Sequence, residues 1–163
     1  FEVFSLLSAQ GKFVKMKGIC QESSYQEELI LYRDYAVSKS EGQDLNLARQ
    51  ANLTGNKPMT ILVNGNTKSA AEMLAGALKD NGRAIIVGET TFGKGIVQRV
   101  WDFPGDTSIK ISSALFYLPG GACVHRVGLR PDVLVASSKK SEDKQLSQAQ
   151  NLLRRGLVSM LAK

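Results

Sequence analysis

Strands and helices alternate along this sequence, which predicts an α/β fold. Two short apolar runs carry that reading, Met59–Val63 and Ala84–Val87, both of strand length and rich in β-branched residues. Between them the hydrophobic period turns helical from Ser69. Met73, Leu74, Ala77 and Leu78 then share one face, and Asn81-Gly82 stops the helix. A loop from Gly88 to Gly95 follows the second run and leads into an alternating strand, Ile96 to Val100.

The remaining elements flank this unit. Phe1 to Leu7 reads as the end of an amphipathic helix, stopped by Ser8-Ala9-Gln10-Gly11, and Lys12 to Lys17 alternates as a strand does. Residues 21–56 are weakly patterned. Within them Leu29–Tyr32 reads as a strand and Gln43–Ala51 as a short helix, before the loop Gly55-Asn56-Lys57-Pro58. Downstream, Trp101–Asp106 is a turn around Pro104-Gly105, and Ser108–Ser113 and Ala114–Leu118 are strands that end at Pro119-Gly120-Gly121. After a polar break at Ser137–Lys140, a helix runs from Ser141 to the end of the sequence. Its apolar stripe is Leu146, Ala149, Leu153, Leu157 and Met160, with Glu142 and Asp143 in the first turn. This divides the chain into a core, residues 1–138, and a C-terminal amphipathic helix, residues 139–163, packed on it.

Composition narrows the class. The chain has 163 residues, 43% hydrophobic and 22% charged, as expected of one ordinary globular unit. The net charge is +6, but the cations are dispersed and no basic run is interleaved with aromatics, so nucleic acid is not an expected partner. No apolar run is long enough to span a membrane. Cys20 and Cys123 allow one disulfide without requiring it, and no cysteine–histidine spacing suits a metal.

Two positions could carry chemistry. Ser69 stands where the turn Asn64-Gly65-Asn66 gives way to the helix. The N–H groups and positive pole of a helix N-terminus suit an activated serine nucleophile, and equally an ordinary N-cap. Lys94 lies between Gly93 and Gly95, which allow close backbone approach, after the apolar Phe92. An ammonium cannot accept a proton, so Lys94 is a base only where burial or a neighbouring cation holds it neutral. A solvent-facing lysine at a loop tip is the alternative. Gly88 to Lys94 also fits the start of a phosphate-binding loop. That reading fails because Gly95 replaces the magnesium-binding Ser or Thr, and a strand follows where a helix must open. His125 is the only histidine, and no G-x-S-x-G elbow accompanies it, so a serine–histidine triad is not expected.

The order of short segments resembles the C-terminal processing peptidases, or tail-specific proteases. The pieces are Ser69-Ala70-Ala71-Glu72, Ala75-Gly76-Ala77-Leu78-Lys79-Asp80, Gly82 to Glu89, Thr91-Phe92-Gly93-Lys94-Gly95 and Val97-Gln98. Further on, Ile109 to Ala114, Tyr117 to Gly121 and Gly128 to Val133 continue the match, which covers about Met59 to Val135. The resemblance implies a Clp protease/crotonase-like α/β core built of β-β-α turns, here the C-terminal part of the protease domain. It implies a serine endopeptidase acting near the C-termini of proteins. Ser69 would be the nucleophile, Lys94 the general base, Gln98 the residue that holds Lys94, and the Ala70 N–H one oxyanion donor. No metal or cofactor is implied. The expected partners are protein or peptide substrates with apolar C-termini, with homo-oligomerisation left open, and the location is extracytoplasmic, periplasmic or lumenal.

The sequence also departs from the pattern. Thr67-Lys68 replace the usual small residues before Ser69, and Ala71 replaces a frequent serine. Lys68 could help keep Lys94 neutral or point to solvent. The N-P-G-G loop that supplies the family's second oxyanion donor does not occur in the sequence. The expectation is therefore a core without its N-terminal part, weak or inactive by itself, and a non-catalytic peptide-binding scaffold is the alternative. Asp80, about 16 Å from Ser69 by helical rise, is expected to be structural, paired with Arg83.

Overall fold

The computed structural model describes residues 2–8, 10–20, 23–31, 36–40, 43–47, 53–55, 57–138 and 143–156. In chain order these form α1 (Glu2–Leu7), β1 (Gly11–Cys20), β2 (Ser23–Leu31), β3 (Ala36–Ser40), β4 (Gln43–Leu47) and β5 (Thr60–Val63). There follow α2 (Ala70–Asp80), β6 (Ile85–Gly88), β7 (Ile96–Phe103), β8 (Thr107–Tyr117), β9 (Val133–Leu134) and α3 (Lys144–Arg154). The α/β class expected from the sequence is what these elements build.

Two sheets share the work. β5, β6 and β9 make a parallel sheet with β6 in the middle. A central parallel strand is covered on both faces, and so all four residues of β6 are buried. Ile86 packs into the main core with Leu78 and Val63, while Ile85 and Val87 turn the other way onto Ala149 and Leu152 of α3. The second sheet is antiparallel, in the order β4-β3-β2-β1-β8-β7. Helix α2 lies between the sheets and touches both β1 and β6. Phe4, Phe13, Val14, Phe116 and Leu118 close the core around it, with the Phe4 and Phe13 rings 5.2 Å apart.

Polar ties fix the ends. The Arg83 guanidinium donates to the carbonyls of Leu7 (2.7 Å) and Lys57 (2.8 Å) and to the Thr54 hydroxyl (2.6 Å), and burial lowers its pKa from the ordinary guanidinium value. It therefore does not serve the expected pair with Asp80. Asp80 instead accepts the Gly120 N–H at 2.8 Å and holds the turn after β8. Lys79 reaches the other way, to Asp132 (2.9 Å) and the Arg130 carbonyl (2.8 Å).

Several boundaries differ from the sequence reading. Gln43–Leu47, expected to be helical, is the edge strand β4, paired with β3 over five positions; residues 48–52 lie outside the described residues. A short isolated helix gains little, whereas a ladder adds hydrogen bonds from a strand distant in sequence. Trp101–Phe103 continue β7, so the turn shrinks to Pro104–Asp106. The two strands expected between Ser108 and Leu118 are one, β8, with a register shift opposite Val97/Gln98. In α3 the buried face is Gln145, Ala149 and Leu152, and Leu146 and Leu153 of the expected stripe are exposed. The Gln145 amide donates to the Val135 carbonyl (2.8 Å), which makes a polar residue part of the contact face. Leu157 and Met160 fall outside the described residues.

Candidate active site

The site is assembled by two loops that leave the parallel sheet side by side. The first follows β5. Its turn is closed by Thr67 N–H to the Asn64 carbonyl (2.9 Å) and by Asn66 N–H to the Asn64 side chain (2.9 Å). Ser69 then caps α2 at φ 58°, ψ −122°. A positive φ at a residue bearing a Cβ is strained, by about 1–3 kcal/mol, and persists only where the surroundings impose it. The second loop follows β6 and carries Thr91 to Gly95. It is tied to the first by the Phe92 N–H, which donates to the Thr67 carbonyl at 2.9 Å.

One carboxylate imposes the geometry of both loops. Glu72 has no exposed surface. One of its oxygens accepts the N–H of Ser69 (2.9 Å) and of Lys94 (2.8 Å). The other accepts the N–H of Gly93 (2.7 Å) and the hydroxyl of Thr91. Thr91 accepts in turn from the Leu129 N–H at 2.7 Å. All four contacts donate to Glu72, so a buried acidic group is satisfied at every lone-pair direction. The backbones of Ser69 and Lys94 thus hang from the same oxygen. In the sequence Glu72 stands out only as part of a motif. Its spacing from Ser69, S-x-x-E, is the capping-box signature and was the available signal.

Lys94 is half-buried, and among the described residues its ammonium pairs with no carboxylate. Its glycine neighbours are required by close approach. Gly93 has φ 86°, and a Cβ there would stand 2.9 Å from the Gly128 nitrogen; at Gly95 it would stand 2.7 Å from the His125 nitrogen. Ser69 is half-buried as well, and Ala70 is exposed at the first helical position. No described group accepts the Ala70 N–H, whereas Ala71 donates to the Lys68 carbonyl and Met73 to that of Ser69.

Gln98 lies on β7 at the register shift, and its amide donates to the Ser112 hydroxyl at 3.5 Å. Phe92 is exposed, and Lys68 stands over its ring, 5.9 Å from the centroid. His125 packs its backbone on Gly95, and its buried Nδ1 has no partner among the described residues. Cys123 carries a free thiol. The described residues contain no group of three or more His, Cys, Asp or Glu placed to hold a metal ion.

A serine and a lysine that share one buried carboxylate through their backbones are accompanied by a match in sequence. The family model described as Peptidase family S41 aligns with residues 8–135. The chain belongs to peptidase family S41. It is 40% identical over 88 residues to a carboxy-terminal-processing protease of Bartonella bacilliformis, covering 54% of this chain and 20% of that protein. A chloroplastic C-terminal processing peptidase of Tetradesmus obliquus is 39% identical over 98 residues, covering 60% and 21%. Among solved structures, a photosystem II D1 C-terminal processing protease superposes with a TM-score of 0.57 at 28% identity, over 82% of this chain and 30% of that one. The chain thus spans about a fifth of the length of the curated relatives it matches. The S41 fold is the Clp protease-like α/β core that the segment order implied.

Proposed function

We propose that this S41 chain carries the serine-peptidase chemistry of an enzyme that cleaves polypeptides near their C-termini. The observation that carries the reading is Glu72, whose carboxylate receives the backbone N–H of both Ser69 and Lys94. Nothing in a merely structural helix cap calls for a lysine loop on the same oxygen.

In this reading neutral Lys94 takes the Ser69 hydroxyl proton as Oγ attacks a peptide carbonyl carbon. The oxyanion that forms accepts the Ala70 N–H, aided by the positive end of α2. The tetrahedral intermediate collapses, the C–N bond breaks, and the Lys94 ammonium returns its proton to the leaving amine. Water, deprotonated by Lys94, then attacks the acyl ester and frees Ser69. Gln98, whose amide meets Ser112 in this structure, is assigned the orienting of Lys94 by the family resemblance alone. The reaction needs no cofactor. Residues 1–138 would provide this site, and α3 packs against β5 and β6.

Substrates with apolar C-termini and an extracytoplasmic location complete the proposal. The second is supported by the chloroplastic relatives, and no helix among the described residues is long and apolar enough to cross a membrane. The test is turnover of an unstructured polypeptide with an apolar C-terminus. Cleavage by the wild type, abolished by Ser69→Ala and by Lys94→Ala and lowered by Gln98→Ala, is the expected result. Binding of such tails without any cleavage would make the protein a scaffold of the same fold.

A further inference from the structure

We infer that Lys68 and Arg126 set the substrate preference of this site, by holding a carboxylate that lies within about three residues of the scissile bond. The inference rests on the peptidase reading and deepens it.

Three segments meet at the reacting pair. Two are the loops that follow β5 and β6. The third, residues 123–128, packs on the lysine loop. Its Arg126 N–H donates to the Gly93 carbonyl at 2.8 Å, and a Cβ at Gly95 would stand 2.7 Å from its His125 nitrogen. Two backbone hydrogen bonds therefore place two cations. The bond from the Phe92 N–H to the Thr67 carbonyl (2.9 Å) sets Lys68, the residue before Ser69, beside the lysine loop. The bond to Gly93 sets Arg126 beside the residue before Lys94.

Both side chains are exposed, and neither pairs with a carboxylate among the described residues. Lys68 stands over the Phe92 ring, itself 61% exposed. A ring face restrains an ammonium but does not cancel its charge, and it engages one side of a group with three donors. Arg126 clamps the lysine loop through its backbone, at φ 63°, so the guanidinium takes no part in the clamp. The carboxylates nearby are already engaged. Glu72 is buried under four donors, and Glu89 accepts the Ser137 N–H at 3.0 Å. Residues 64–69, 89–95 and 123–128 contain no carboxylate besides Glu89.

Two exposed cations that flank the reacting residues select an anionic group, and a carboxylate suits both the ammonium and the planar guanidinium fork. The four-carbon stem of Lys68, next to Ser69, covers about two to three residues of an extended chain at about 3.3–3.6 Å each. A polypeptide cut that close to its end brings its own α-carboxylate into reach. An acidic side chain near the scissile bond brings the same group.

The Ser69→Ala protein is titrated with four N-terminally labelled peptides that share one unstructured, apolar-ended sequence, and binding is read by anisotropy. The first ends in a free α-carboxylate and the second in an amide. The third and fourth are amides with Glu or Lys at the penultimate position. The expected result is that a carboxylate, from either source, tightens binding about fivefold over the plain amide. The Lys peptide binds weakest, and the advantage shrinks in about 0.5 M sodium chloride. An advantage confined to the first peptide assigns the group to the chain terminus, and one confined to the third assigns it to a side chain. Lys68→Met together with Arg126→Gln brings the ratio within about twofold, whereas Lys68→Arg keeps it, which a role in merely propping Phe92 would not require. In the active protein the same preference appears in KM. Equal affinity for carboxylate and amide, a preference that persists in the double variant, or no saturable binding of any peptide would each overturn the inference. The peptidase reading fails separately, if the wild type binds these peptides with the expected preference and cuts none of them.

Discussion

Glu72→Gln is the substitution that most sharply tests the site. The side chain is fully buried, and the replacement has nearly the same shape, so the change is in hydrogen bonding and charge rather than packing. A glutamine keeps one accepting oxygen. If that oxygen faces the N–H groups of Ser69 and Lys94, the new NH₂ faces Gly93 and Thr91. The Thr91 hydroxyl can turn to accept, because its oxygen has a second lone pair besides the one on the Leu129 N–H. The Gly93 N–H cannot turn and is left unpaired, at about 1–3 kcal/mol. Losing the charge from the remaining contacts brings the cost to roughly 2–4 kcal/mol. The opposite flip leaves two N–H groups unpaired and costs more. Glu72→Ala would orphan three N–H groups, that of Gly93 buried and those of Ser69 and Lys94 partly buried, at up to roughly 3–9 kcal/mol against a total stability of about 5–15 kcal/mol, which is why glutamine is the informative choice. Urea unfolding reads the stability, at unchanged slope, and turnover of an unstructured polypeptide reads the function. A shift of about 1 Å in the lysine loop lowers the rate by about 10². Midpoints that agree within about 0.5 kcal/mol, with equal rates, would show that Glu72 does not hold the two loops together.

Three further outcomes follow from the same geometry. Ser69→Gly should be more stable than Ser69→Ala by about 1 kcal/mol, since glycine relieves the positive φ and alanine does not; both should be inactive, and equal unfolding midpoints would remove the strain argument. Gly95→Ala should lose about 1–3 kcal/mol and most activity, because its Cβ would press on the His125 backbone, whereas Gly65→Ala, with nothing within 4 Å, should change neither. Asp80→Asn should leave kcat unchanged and cost at most about 1 kcal/mol, because among the described residues Asp80 holds the exposed Gly120 N–H; a large fall in kcat would tie it to the chemistry instead.

The strand–helix–strand unit around Ser69 was legible because each piece is locally determined. The short β-branched apolar runs of β5 and β6 favour strands, and Asn81 with Gly82 ends α2 whatever lies around it. Ser69 and Lys94 could be singled out for the same reason, since a helix start and a glycine-flanked lysine are local signals. β4 was misread because the choice between a short helix and an edge strand rests on a partner, β3, that the five residues themselves do not name. The contact face of α3 was misplaced because a hydrogen bond from Gln145 to Val135 competes with leucine for burial, and only the packed chain reveals it.

The sequence by itself thus determined the strand–helix–strand unit around Ser69, the family and the two candidate reacting residues. The tertiary structure decided what joins them. Glu72, Gly93 and Lys94 are distant along the chain, and no periodicity relates a helical glutamate to a loop after the next strand. They meet because β5 and β6 lie parallel and adjacent, which brings both loops out at the same end of the sheet. Burial then leaves those backbone N–H groups a single carboxylate to bind.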